Sequence, residues 1–328
     1  MRCISRAKSA ALIGVTTVSL FAGGCIGRKG ATPVTEYELK NYNQNLYQGK
    51  LYAEDLCVAQ NDVLLEGYTE DTDLHSAALF DLTGENVLYA YKAHERLYPA
   101  STTKIMTALL AIENANLDDL VTISGNADAS SFSADAQVCG LEKGEVWTLR
   151  DLLGALLLYS GNDAATAIAE YVGGSEEAFV NMMNRRAHEL MANDTHFMNP
   201  HGLHDDNHYT TAYDLYLIFN ECIKHEEFVD IIQSELYTAH YTDAYGNSQE
   251  TEFLPTNLYA QGEAEVPENV TIVGGKTGTT DEAGYCLILM EKDFSDNPYI
   301  SIVMGASDKP VLYEDMTSLI EAIPSGQQ

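Results

Sequence analysis

Positive charge is what this sequence has least of. Eighteen lysines and arginines stand against 49 aspartates and glutamates in 328 residues, a formal net charge of −31. Such a polyanion repels nucleic acid and anionic lipid headgroups, which excludes partners recognised through a basic patch. Cysteine is scarce too, and six in a chain of this length do not make a disulfide framework. The apolar stretch Ala10 to Ala22 falls short of the roughly 20 residues a membrane-spanning helix needs. No internal repeat is evident. HExxH is missing, although His196, His201, His204 and His208 cluster within thirteen residues, so a metallopeptidase would lack its usual ligand pair and no metal is expected. The segment Asn193 to Asn207 that carries them reads as an irregular loop bordering a site.

Arg2, Arg6 and Lys8 precede the apolar stretch, and residues 1–24 therefore read as an export segment. Leu20-Phe21-Ala22-Gly23-Gly24-Cys25 resembles a bacterial lipobox, which implies cleavage before Cys25, lipidation of its thiol and attachment to the membrane through an N-terminal lipid. An ordinary signal-peptidase site is the alternative. Residues 25–56 are polar and read as a tether, leaving 57–328 as one folded domain with a full core. Cys57, Cys139, Cys222 and Cys286 then remain in the domain. Cys286, inside an apolar run, reads as a small buried side chain, and a Cys57–Cys139 pair stays open with nothing to select it.

Three short segments stand out by their order: Ser101-Thr102-Thr103-Lys104, Ser160-Gly161-Asn162 and Lys276-Thr277-Gly278. They match SxxK, SxN and KTG, a set that serves a nucleophilic serine in acyl transfer. Each alone is weak, because an isolated SxxK is usually a capping serine and a solvated lysine. The chain also holds decoys: Ser5 to Lys8 is SxxK, Ser124-Gly125-Asn126 is SGN and Ser295-Asp296-Asn297 is SDN. These lie in the export segment, a polar stretch and a turn-like break between apolar runs. Ser101 instead opens a run in which Ile105, Leu109 and Ile112 keep helical spacing.

A serine hydroxyl is a poor nucleophile until a base takes its proton, and the residue three places on in a helix lies on the same face. That puts Lys104 within reach. To act as a base it must be neutral near pH 7, which needs desolvation or a second cation, and Lys276 is the candidate for that charge. The N–H of Ser101, free at a helix start, suits a developing oxyanion. Ser160-Gly161-Asn162 closes the apolar stretch Leu152 to Tyr159 and reads as a loop between two helices, with Ser160 relaying a proton to the leaving amine and Asn162 orienting Lys104 and the substrate carbonyl. Lys276 to Thr279 falls on a strand. Gly278 lets a substrate backbone come close, and Lys276 with the hydroxyls of Thr277 and Thr279 suits a carboxylate. The strand edge could take the substrate as an added strand.

In Arg96 to Ala108, Ser160 to Ala165, Asn199 to Leu203, His208 to Asp214, Lys276 to Thr280 and Ala283 to Leu287 the chain resembles the penicillin-binding serine-type D-alanyl-D-alanine carboxypeptidases. The resemblance implies a cofactor-free enzyme that removes the terminal D-alanine of peptidoglycan stem peptides through an acyl-enzyme on Ser101, with β-lactams acylating the same serine. It implies Lys104 as general base, Ser160 and Asn162 as the rest of the relay, Lys276 and Thr277 on the terminal carboxylate, and the N–H groups of Ser101 and Thr279 as the oxyanion hole. Two features depart from the pattern. The β-rich second domain and amphipathic membrane helix of many relatives have no counterpart here, since only a helical pattern from Val311 to Ile323 follows the last strand. The arginine that relatives can place on the strand after KTG is also missing, with Lys292 the only basic residue between Tyr285 and Ala306. A D,D-endopeptidase or a β-lactamase of the same fold is the alternative, although Glu189 to Asn193, the nearest approach to an ExxLN deacylation motif, sits in a helical pattern. A non-catalytic surface-binding lipoprotein is the remaining reading.

Ala77 to Leu82 and Asn86 to Tyr91 predict a hairpin around Thr83-Gly84-Glu85, and three later strands fall near 270–279, 284–291 and 299–306. The fold class is therefore α+β, β-lactamase/transpeptidase-like: an antiparallel five-stranded sheet flanked by helices, with a helical lobe from about 113 to 225. The site lies between sheet and lobe. Gln233 to Val266, rich in Tyr, Thr, Gly and acids, receives no assignment.

Overall fold

A computed structural model describes residues 55–65 and 75–324. The export segment, Cys25 and nearly all of the tether lie outside the described residues. The strands β1 (Ser76–Asp81) and β2 (Asn86–Tyr91) form the expected hairpin, and β7 (Val270–Thr280), β8 (Gly284–Asp293) and β9 (Pro298–Ala306) complete an antiparallel sheet in the order β2-β1-β9-β8-β7. The inner strands are apolar in sequence because both of their faces are covered. Leu287, Leu289 and Val303 pack with Met316, Leu319 and Ile320 of the last helix, Lys309–Glu321, whereas Cys286, Ile288, Ile300 and Ile302 pack with Ile105 and Leu109 on the other side. Among the described residues β7 pairs only with β8, which leaves its other edge free, and this edge carries Lys276-Thr277-Gly278.

The chain between β2 and β7 holds helices α1 (Lys104–Asn114), α2 (Leu149–Gly154), α3 (Asn162–Gly173), α4 (Glu176–Glu189), α5 (Ala212–Cys222), α6 (Glu226–Ile232) and α7 (Leu258–Gln261); the last helix is α8. Eight of the eleven residues of α1 are buried, from Lys104 to Ala111, so it runs through the core rather than over it. Ile105, Leu109 and their neighbours hold it there by burial worth about 1.5–3 kcal/mol per large aliphatic side chain.

A second sheet was not foreseen. The strands β3 (Leu120–Thr122), β4 (Val146–Thr148), β5 (Tyr237–Thr242) and β6 (Ser248–Phe253) are antiparallel in that order. Trp147 stacks on Tyr241 with ring centroids 4.3 Å apart, and Tyr237 donates its hydroxyl proton to Asp151 at 3.1 Å. These contacts place much of the unassigned segment: β5 and β6 form a hairpin whose turn is held by the Asp243 carboxylate, which accepts from the backbone N–H groups of Tyr245 and Asn247. The four cysteines of the domain are free, and the open Cys57–Cys139 pairing is not made. The Cys57 thiol bonds instead to the carbonyl of Asp81 at 3.3 Å, while Cys139 lies by the carbonyl of Ala155 at 3.8 Å. No helix of the described residues is long and apolar enough to cross a membrane.

Candidate active site

Three chain segments bring the polar groups together. The first is the entry to α1. Ala100 has φ 47°, a left-handed conformation uncommon outside glycine, and Ala100–Thr103 make a tight 3₁₀ turn that feeds directly into α1. Thr102 locks this turn by donating both its N–H and its hydroxyl to the carbonyl of Pro99. Ser101 is thereby left half-buried at the mouth of the helix while Lys104, one turn on, is fully buried.

The second segment leads into Ser160. Ala155–Tyr159 form a widened π-helical turn, and Ser160 ends it in the left-handed conformation (φ 71°, ψ 32°). Such departures from regular helix are uncommon, and for a non-glycine residue cost about 1–2 kcal/mol. Gly161 next to it cannot be replaced freely, because a Cβ there would lie 2.1 Å from Cys139 Sγ. Asn162 then starts α3. The third segment is the free edge of β7, where a Cβ on Gly278 would lie 3.0 Å from Ser101 N. Only glycine lets this strand lie so close over the start of α1.

The resulting geometry gives each serine its own lysine. Lys104 Nζ lies 2.9 Å from Ser101 Oγ, 2.7 Å from Asn162 Oδ1 and 2.7 Å from the carbonyl oxygen of His201. Lys276 Nζ lies 2.9 Å from Ser160 Oγ and 2.9 Å from the carbonyl oxygen of Thr277, whose hydroxyl meets that of Thr256 at 2.5 Å. Burial holds Lys104 well below the usual lysine range, and the charge of Lys276 lowers it further. Burial brings Lys276 down to about 7. A cleft of about 660 Å³ opens over these groups, lined by Ser101, Ser160, Asn162, Thr277, Gly278 and Thr279 among others.

Five sequence-predicted residues, Ser101, Lys104, Ser160, Asn162 and Lys276, are thus gathered at one site as two hydrogen-bonded groups, Ser101 and Asn162 on Lys104 and Ser160 on Lys276, with Thr277, Gly278 and Thr279 along its edge. Lys292 is not part of it, lying 3.8 Å from Asp296 at the far end of β8. Sequence reasoning missed three contributors. The His201 carbonyl carries no side-chain signature, although the stretch Asn199 to Leu203 marks its place. Gly202, at φ 91°, seats that loop against the active-site turn, where a Cβ would lie 1.8 Å from the carbonyl oxygen of Ala100. The buried Asp163 accepts from the N–H groups of Cys139, Gly140 and Leu141, fixing the loop that lines the cleft opposite β7.

The histidines serve the loop that carries Gly202. Burial lowers His208 to about 4 and His201 to about 3, with Lys104 adding to the effect on His201. Neutral His208 accepts from the N–H of Met198 at Nδ1, so Nε2 carries the proton and donates it to Thr103 Oγ1 at 2.9 Å. Among the described residues no three His, Cys, Asp or Glu side chains are grouped to hold a metal ion.

The family model for D-alanyl-D-alanine carboxypeptidase matches residues 66–308, which include every residue of this cluster. The chain belongs to that family. Its relatives include the D-alanyl-D-alanine carboxypeptidase DacF of Bacillus subtilis, 35% identical over 251 residues, and DacC of Escherichia coli, 32% identical over 257. These alignments cover 75% and 76% of this chain but 61% and 60% of the two relatives, so the chain spans less than two thirds of their length. The crystal structure of the Streptomyces K15 DD-transpeptidase superposes with a TM-score of 0.71 at 28% identity, covering 78% of this chain and 98% of that one. The family shares the α+β architecture, and the five-stranded antiparallel sheet with its helical lobe is that fold.

Proposed function

We propose that this protein is a serine D,D-carboxypeptidase that removes the terminal D-alanine from peptidoglycan stem peptides. The observation that carries the proposal is the environment of Lys104. A neutral lysine has two N–H donors and one lone pair. The carbonyl oxygens of Asn162 and His201, each at 2.7 Å, take the two donors, which aims the lone pair at Ser101 Oγ at 2.9 Å. Burial and the nearby Lys276 favour this neutral form.

Ser101 Oγ attacks the carbonyl carbon of the penultimate D-alanine and gives its proton to Lys104. The carbonyl oxygen becomes an oxyanion facing the N–H groups of Ser101 and Thr279. As the C–N bond breaks, Ser160 protonates the departing nitrogen and is reprotonated by Lys276. Free D-alanine leaves and the proton held by Lys104 returns to Lys276, so that Lys104 is neutral again; water then attacks the ester on Ser101, giving one proton to Lys104, which passes it to Ser101 Oγ as the acyl–oxygen bond breaks. Thr277 and Lys276 hold the terminal carboxylate. β-Lactams present a strained amide to the same serine, but their leaving nitrogen stays tethered after ring opening, so the acyl-enzyme lasts longer.

D-Alanine release from a soluble peptide ending in D-Ala-D-Ala, compared between the domain and its Ser101→Ala variant, tests the reading. Release by the wild type that falls by about a thousandfold or more in the variant is the expected result. No release from a folded wild type would contradict it. We further propose that the protein works outside the cytoplasm, held to the membrane by a lipid on Cys25, a reading supported by the export-like residues 1–24 and the lipobox-like Leu20 to Cys25. Cys25→Ser is expected to move it from the membrane fraction to the soluble one, and retention in the membrane would refute that attachment.

A further inference from the structure

A substrate that ends in a carboxylate brings a negative charge to a chain that is already strongly acidic, and Asp281 and Glu282 line the same cleft. Lys276 does not fully answer that charge. It is buried, lowered to about 7 and shared between Ser160 and the Thr277 carbonyl. The cleft has one exposed lysine among the described residues, Lys309, whose residue lines it together with Thr277, Thr279, Tyr285 and Tyr313.

Lys309 stands at the start of a helix. It is the first residue of α8, capped by Asp308, whose side chain accepts from the N–H of Val311, and no acid occupies the first turn. A cation at a helix N-terminus faces the positive end of the helix dipole and loses stability there. Among the described residues Lys309 makes no ion pair and no side-chain hydrogen bond that would offset this. A cation without a protein partner, on the wall of a cleft that takes an anion, gains its partner when that anion binds. Lys309 also lies one residue past the stretch matched by the family model.

We infer that Lys309 is a specificity residue that pairs with the terminal carboxylate of the substrate, completing from α8 a site that Thr277 and Lys276 begin on β7. The inference rests on the carboxypeptidase reading above. It also accounts for the lack of a basic residue on β8 and β9 facing the cleft, because the charge is supplied from the helix that follows them.

The test uses two N-acyl-D-alanyl thioesters with the same acyl group, one with mercaptoacetate as leaving group and one with its methyl ester. Their reacting centres are alike and only the terminal charge differs. The wild type is expected to prefer the carboxylate in kcat/KM, and Lys309→Gln to narrow that preference about tenfold, mainly through KM. Lys309→Arg is expected to restore it. Equal losses on both thioesters would mean that Lys309 supports the fold or binds the acyl portion, and an unchanged preference would mean that the carboxylate pairs elsewhere. Either result overturns the inference. Failure of the wild type to turn over both compounds would instead count against the carboxypeptidase reading itself.

Discussion

At the scale of single residues, two buried lysines in one cluster divide the work by differing in what surrounds them. Lys104 has two carbonyl acceptors and a serine hydroxyl, an arrangement that a neutral amine satisfies completely. Lys276 touches Ser160 Oγ and one carbonyl, and it must be protonated to resupply Ser160. Its value of about 7 then sets the direction of the pH dependence. Below that value Lys276 carries its proton, and above it the proton is lost. The kcat/KM for a D-Ala-D-Ala peptide is therefore expected to fall as pH rises through about 7, while protonation of Lys104 cuts the rate on the acid side. In Lys276→Arg, whose side chain keeps its charge across this range, the alkaline limb is expected to vanish and kcat to drop at every pH. A wild-type profile still rising at pH 9 would remove Lys276 from the relay.

At the scale of elements, each catalytic segment occupies a break in regular structure: the 3₁₀ turn before α1, the π-helical turn before Ser160 and the glycine-bearing edge of β7. The regular parts were legible because their patterns are strong. Ile105, Leu109 and Ile112 keep helical spacing, and the runs in β8 and β9 are apolar because both faces are covered. The second sheet was not legible for the opposite reason. β3 and β4 have three residues each, too few to show a period, and β6 is largely exposed, so Ser248 to Glu252 carry no apolar alternation. The polar cluster was legible through its side chains and incomplete where the backbone acts. Nothing in the residue type of His201 announces that its carbonyl oxygen anchors Lys104, and nothing in Gly202 says that a methyl group would strike Ala100. Lys309 escaped because a basic residue was sought on the strands after KTG, whereas the chain supplies it one element later.

At the scale of the whole molecule, the sheet joins distant parts of the chain so that the cleft has one wall from each. β1 pairs with β9 across more than 200 residues, from Ser76 against Met304 to Asp81 against Tyr299. This pairing puts β9 and β8 in the middle of the sheet and leaves β7 at its edge, against the turn that opens α1. The net charge of −31 gives this molecule no general attraction for an anionic substrate. Recognition must come from groups inside the cleft, and the account rests on the claim that these groups make Ser101 a nucleophile. Mass spectrometry of the intact protein after incubation with benzylpenicillin, followed by peptide mapping, tests that claim directly. The predicted result is one adduct of the antibiotic's mass per chain, on the peptide containing Ser101, persisting after excess drug is removed and absent from Ser101→Ala. A folded wild type that gains no adduct, or one that carries it on a different serine, would contradict the account.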